Sequence, residues 1–308
     1  MKNNLIFQYL LVDEEVSKRG KIFNQYEDRH VDRCSVYQEM AEISRKSFEK
    51  YADVIGCQYQ FSTEKWLTEG HHNSISTLFE ALRIIYDPYF DQFDDILFVD
   101  CDIVVNTKNN IFEQRPKDAE ILGVLESDVI IDREDYTLDN RDQMKGGYNS
   151  WDWCIDNKAW FSEKWRMHDC PIVPTVGYDT KRNSCIFMFN TGVLIWTKEA
   201  RLKARKLFDP WQQWLHPKIK DIKNMIHHMS ILNDQPFISA MVQKYEFNVA
   251  TIDQRWNDTP VHYPDPQEWI EGTDDKECWF LHFTGGDHKI TMIKWYHEKR
   301  FPVFNEDW

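Results

Sequence analysis

Apolar residues fall along this chain in short runs separated by stretches with helical spacing. Leu5 to Val12, "LIFQYLLV", reads as a first strand. Between Tyr37 and Ile55, Tyr37, Met40, Ala41, Ser44, Phe48, Tyr51 and Ala52 recur at the three-to-four spacing of one helix face, with Gly56 placed to close it. "CQYQF" from Cys57 predicts a short strand, and Asp95 to Val99 the next. Thr77 and Glu80 have the spacing of a capping box, opening a helix that runs towards Asp87 and stops at Pro88. "AEILGVLES" from Ala119 reads as a strand, and "CIFMFNTGVLIWT" from Cys185 as a long buried hairpin or strand pair. Helices follow over Lys198 to Phe208 and Asp234 to Tyr245, the second with Pro236 in its first turn, where it is tolerated. "CWFLHF", ending at Phe283, is a late strand.

Strands alternating with helices predict a largely parallel sheet covered on both faces, with ligands bound at the carboxyl ends of its strands. The run "DDILFVDCDIVVN" gains interest from that rule. It ends a buried strand with Asp100 and Asp102. Residues i and i+2 of an extended chain point to the same side, and an unpaired buried carboxylate is costly. Two acids facing one way at a strand mouth make a site for a hard divalent cation. A solvated Asp-rich turn is the plain alternative.

Composition narrows the class. At 308 residues, 42% hydrophobic and 15% aromatic, the chain can build a sizeable core, and nothing in it divides 1–308 into separate domains. The net charge of −14 disfavours a nucleic-acid partner. Seven widely spaced cysteines without a C-x-x-C predict free thiols in a reducing compartment. The first apolar run is too short for a signal peptide and no run is long enough for a membrane span, so a cytoplasmic location is expected.

Three further segments follow the D-x-D in order: "MFNTGVLIWT", "LNDQPFIS" and "LHFTGGDHK". Together with it they resemble the retaining glycosyltransferases of family 8. The resemblance runs from about Thr77 to Lys289, leaving an aromatic-rich insertion at about 132–181 unmatched. It implies a GT-A fold: a single Rossmann-like domain with a mostly parallel mixed sheet. It implies transfer of a hexose with retention from a nucleotide-diphosphate sugar, UDP-glucose or UDP-galactose by family default, to a glycan or other hydroxyl acceptor. The resemblance maps the metal ligands to Asp100, Asp102 and His282, holding Mn²⁺ with Mg²⁺ as substitute. It places donor-binding residues at Arg83, seventeen positions before Asp100, and at Asn190, Gly192, Gly285 and Lys289. Lys289 stands one position later than the family's lysine. Asp234 and Gln235 map to the pair facing the reactive sugar carbon, with Pro236 in place of the family's last acid.

The chemistry is coherent without the family. Negative charge grows on a departing diphosphate and calls for a cation held by carboxylates and imidazole. Positive charge grows on an oxocarbenium-like sugar and calls for a carboxylate or carbonyl on its far face. Plainer roles stand beside each assignment: Asp234 as a helix N-cap, His282 as a structural histidine, Arg83 as a paired surface residue. The insertion offers Trp151 and Trp153 as flat faces for an acceptor sugar, with Asp128 before it as a further acceptor candidate. Two other classes remain open: a haloacid-dehalogenase-like phosphohydrolase using Asp100 as nucleophile, and a sugar-binding protein without turnover.

Overall fold

The computed structural model describes residues 2–11, 20–70, 76–125, 189–214, 234–259, 266–272, 277–306 and 308. Its main sheet has six strands in the order β4-β1-β5-β8-β7-β9. These are β1 (Leu5–Tyr9), β4 (Gln58–Ser62), β5 (Asp95–Val99), β7 (Ile121–Leu125), β8 (Phe189–Thr197) and β9 (Val249–Thr251). β1 pairs in parallel with β4 and β5, and β7 in parallel with β9, whereas β8 runs antiparallel to both its neighbours. Five strands therefore point one way and one the other, the mostly parallel mixed sheet that the alternation of elements predicts.

The pleat distributes the core. Leu5, Phe7, Ile96, Phe98, Leu194 and Trp196 pack on one face with residues of helices α2 (Arg83–Tyr86), α3 (Lys198–Leu207) and α4 (Asp234–Lys244). Ile6, Leu97, Val99, Leu122, Val193 and Ile195 pack on the other, against Phe48, Tyr51 and Ala52 of helix α1 (Arg33–Ile55). Adjacent residues going to opposite faces is the two-residue period of a strand, and both faces being apolar explains why these strands read as continuous hydrophobic runs.

α1 begins earlier than its apolar spacing suggests. Asp32 caps it by accepting from the Ser35 amide, and Gly56, at φ 70°, closes it as expected. Of the stretch from Cys185 that reads as a hairpin or strand pair, residues 185–188 lie outside the described residues, and Phe189–Thr197 forms one nine-residue buried strand. The capping box is absent. Ser76–Leu82 forms a 3₁₀ turn, and the buried Glu80 carboxylate accepts instead from the amides of Trp66, Leu67 and Thr68 and from the Thr68 hydroxyl. Four donors from one earlier loop satisfy a buried carboxylate better than one amide of its own turn.

Two smaller ribbons complete the scaffold. β2 (Lys21–Asn24) pairs with β3 (Arg29–Asp32), and β6 (Ile103–Val105) pairs antiparallel with β10 (Phe280–His282), outside the main sheet. Helix α5 (Gly286–His297) follows β10 and packs against α1. No helix among the described residues is long and apolar enough to cross a membrane.

Arg201 of α3 is wholly buried, and its guanidinium donates to the carbonyls of Trp196 (2.8 Å), Phe90 (3.1 Å) and Phe93 (2.6 Å). Burial lowers its pKa to about 10, so it stays charged at neutral pH. Arg201→Leu should remove the donor from three buried carbonyls, of which only that of Phe90 is shown keeping another, the Phe93 amide (3.2 Å), and cost about 2 kcal/mol or more. Urea unfolding followed by circular dichroism measures this; an unchanged midpoint shows that the three bonds add no stability.

Candidate active site

The site is assembled by two pieces of pairing. Val99 of β5 lies opposite Val193 of β8, and one residue on, the Asp100 amide donates to the Gly192 carbonyl (2.9 Å). Because β8 is antiparallel, its amino-terminal residues meet the carboxyl end of β5. On the other side, Ile103 of β6 lies opposite His282 of β10, and the Phe283 amide donates to the Asp102 carbonyl (2.9 Å). The main sheet thus places Asp100, and the small ribbon places Asp102 beside His282.

β8 is also bulged. Its pairing with β7 moves from Gly123–Leu194 to Val124–Asn190, so Thr191, Gly192 and Val193 drop out of that ladder. Bulges of this kind re-aim residues beside functional sites. Here the Thr191 amide turns to the Gln235 side-chain carbonyl (3.3 Å) at the start of α4.

Asp100, Asp102 and His282 converge, with one ligand atom from each lying within 4.8 Å of the others. His282 Nε2 is 3.2 Å from Asp102 Oδ1, and Lys289 Nζ pairs with Asp102 Oδ2. His282, Asp102 and Lys289 are all buried. Two carboxylates and one imidazole at this spacing are a fitting donor set for a divalent cation of the Mn²⁺ or Mg²⁺ type.

Gly192 makes room for the cluster. A Cβ there would lie 2.8 Å from His282 Cε1, 3.0 Å from Asn190 Oδ1 and 3.2 Å from Asp100 Oδ2. Gly285, at φ 81°, occupies the residue before α5 in a conformation that L side chains rarely adopt, and it turns the chain from His282 towards Lys289. A cavity of about 270 Å³ adjoins the acids, walled by Tyr9, Leu10, Tyr37, Met40, Leu78 and Lys289 among others.

Charge and burial pull the carboxyls apart. Burial and the neighbouring Asp102 raise the Asp100 pKa. Asp102 is itself buried, which alone would raise its pKa, but Lys289 and His282 outweigh burial and hold it low. Asp234 is pushed up to about 7, first by burial and then by the charge of Asp100.

The sequence-derived residues therefore divide. Asp100, Asp102, His282, Gly192 and Lys289 come together directly. Asp234 lies near enough to feel Asp100, and Gln235 holds the bulge. Asn190 is buried, and its side-chain oxygen accepts from the Gly192 amide (3.0 Å) and from Asn257 (2.9 Å). Arg83 makes none of its described contacts with the cluster. Its guanidinium donates to Asp87 (3.1 Å) and to Ser62 at the end of β4 (3.0 Å) and lies against Trp66. Asp128, Trp151 and Trp153 lie outside the described residues. Asn257, which donates to Asn190 and faces His282 Nδ1 at 2.7 Å, is a site residue that sequence reasoning misses. Only its place in "QRWND", ahead of the late histidine strand, hints at it.

No protein-family model and no curated protein sequence matches the chain. Solved structures do. A glycosyltransferase involved in glycosylation of the major capsid of PBCV-1 is 13% identical with TM-score 0.46, over 95% of this chain and 98% of its own. The galactosyltransferase LgtC, solved with donor and acceptor sugar analogues, is 12% identical with TM-score 0.45, over 99% and 98%. Mouse xyloside xylosyltransferase 1 is 14% identical with TM-score 0.39, over 92% and 97%. At these values the likeness assigns no activity; the site's own chemistry must do that.

The raised pKa of Asp234 has a consequence for stability. The folded state keeps a proton that the unfolded chain releases above its ordinary value of 3.8. That contribution is full below 3.8 and declines as pH rises through about 7. Asp102 acts oppositely: its contribution is present above the ordinary carboxylate range and is lost as pH falls. In chelator, stability should therefore decline from mildly acidic to neutral pH, and Asp234→Asn should flatten that decline. Urea midpoints between pH 5 and 8 test it; equal slopes for both proteins refute the assignment to Asp234.

Proposed function

We propose that this chain is a GT-A glycosyltransferase that moves a hexose, with retention, from a nucleotide-diphosphate sugar to the hydroxyl of a glycan or similar acceptor. UDP-glucose or UDP-galactose is the proposed donor. The carrying observation is the convergence of Asp100, Asp102 and His282, with Lys289, at the carboxyl end of β5 beside a cavity. Asp100, Asp102 and His282 would hold Mn²⁺, or Mg²⁺ in its place. The bound ion supplies Lewis-acid neutralisation of the charge that grows on the departing diphosphate.

The other residues serve the same charge separation. Lys289, tethered to Asp102 and the first turn of α5, offers a second positive charge for the diphosphate. Gly192 and Gly285 keep the approach to the acids clear and turn the chain around them. Asn190 orders the strand edge next to the sugar. Arg83 stands as a donor-side residue at the end of β4. Asp234 and Gln235, at the start of α4, face the growing positive charge on the sugar; Asp234 serves this role ionised.

The experiment is release of nucleoside diphosphate from a panel of donor sugars, with Mn²⁺ and with excess chelator. Turnover is expected only with metal. Asp102→Asn, which keeps the side-chain volume, should lower it at least about 100-fold with the fold retained by circular dichroism. Full turnover in chelator overturns the proposal, and phosphate release from simple phosphomonoesters would favour the phosphohydrolase reading. NMR coupling constants of the product are expected to show the donor's anomeric configuration. Inversion would reject the roles of Asp234 and Gln235 without touching the metal site.

A further inference from the structure

The geometry points to Asn257 as the positioning residue that fixes the tautomer of His282 and so makes its Nε2 a cation ligand. This rests on the reading of Asp100, Asp102 and His282 as a metal site. The Gly192 backbone N–H can only donate, and it lies 3.0 Å from one terminal atom of the Asn190 side chain. That atom is therefore the oxygen. The same oxygen lies 2.9 Å from a terminal atom of Asn257. Two oxygens cannot share a hydrogen bond, so Asn257 presents its NH₂ there. Its other terminus is then the carbonyl oxygen, 2.7 Å from His282 Nδ1. A carbonyl can only accept, so Nδ1 carries the proton.

In a neutral ring that leaves the lone pair on Nε2, the nitrogen that faces Asp102 Oδ1 at 3.2 Å. Without Asn257 the ring would place its one proton on Nε2, because a carboxylate is the stronger, charge-assisted acceptor. That tautomer cannot bind a cation through Nε2. Asn257 is fully buried, and His282 and Asn190 nearly so, which leaves no room for solvent to supply the missing acceptor. The relay runs from the backbone of β8 through Asn190 and Asn257 to the ring. The strand that places Asp100 thereby also orients the third ligand. Such outer partners commonly set ligand orientation and change metal affinity by about 10–100-fold.

The test uses the full chain labelled with ¹⁵N-histidine, in chelator, with the His282 signals assigned by their loss in His282→Gln. Wild type is expected to show a protonated Nδ1. Asn257→Leu should move the single proton to Nε2 and weaken binding of Mn²⁺ alone, followed by electron paramagnetic resonance, about 10–100-fold. Asn257→Asp gives up the donor to Asn190 but still accepts from Nδ1 and should keep the Nδ1 proton, which no role in packing alone would require. A wild-type ring whose Nδ1 carries no proton overturns the inference, as does unchanged Mn²⁺ affinity in a folded Asn257→Leu. If Asn257→Leu does not fold, loss of the Nδ1 proton in Asn257→Asp overturns it. A wild type that binds no Mn²⁺ rejects the metal site itself, whereas the tautomer comparison then decides the role of Asn257 on its own.

Discussion

Two carboxylates set one residue apart at the end of a buried strand repel each other and resist dehydration. Neither survives there ionised without a positive partner. Much of the surrounding architecture answers that constraint. Lys289 reaches Asp102 from the first turn of α5, and His282 reaches it from β10. Gly192 withholds a side chain so that the ring and Asp100 can approach. Asp234, farther from any cation, answers it differently, by holding its proton to about pH 7.

The reversed strand makes the arrangement possible. In a wholly parallel sheet, the neighbours of β5 would bring only their own carboxyl ends to its mouth. β8 runs the other way, so Asn190, Thr191 and Gly192 arrive there as a strand begins, in backbone register with Asp100. The bulge beside them then releases Thr191 to Gln235. One change of direction and one slip of register thus join the acids, the asparagine relay and the start of α4.

What could be read from the sequence follows from how local each signal is. β5 was legible because an unbroken apolar run has its ends marked by acids, and the helix from Asp234 because Asp and Pro sit at its start. Asp100 and Asp102 stood out because they share one extended segment, whereas His282 was reached only through the resemblance carried by "LHFTGGDHK", since a lone histidine at a strand end reads as structural. Glu80 misled because its spacing to Thr77 imitates a cap, whereas its partners are Trp66, Leu67 and Thr68, 12 to 14 residues earlier and outside its own turn. The β8 stretch read as a hairpin or strand pair because nine buried residues carry no alternation that shows direction. Asn257 was silent for a different reason. Its meaning lies in a hydrogen-bond chain through β8 and β10, and no pattern in "QRWND" encodes those partners.

The pairing of Leu125 with Phe189 carries a consequence of another kind. The two ends of the stretch 126–188 are neighbours across a single strand pair. The sheet registers only that these ends meet, and the entropy of closing a loop grows only with the logarithm of its length, about 0.6 kcal/mol per doubling. The scaffold is therefore nearly indifferent to how long that stretch is, while the acids and the relay are fixed elsewhere. Residues 126–188 can therefore be lengthened or shortened in such a chain without disturbing the pairing of β7 with β8 or the register that places Asp100.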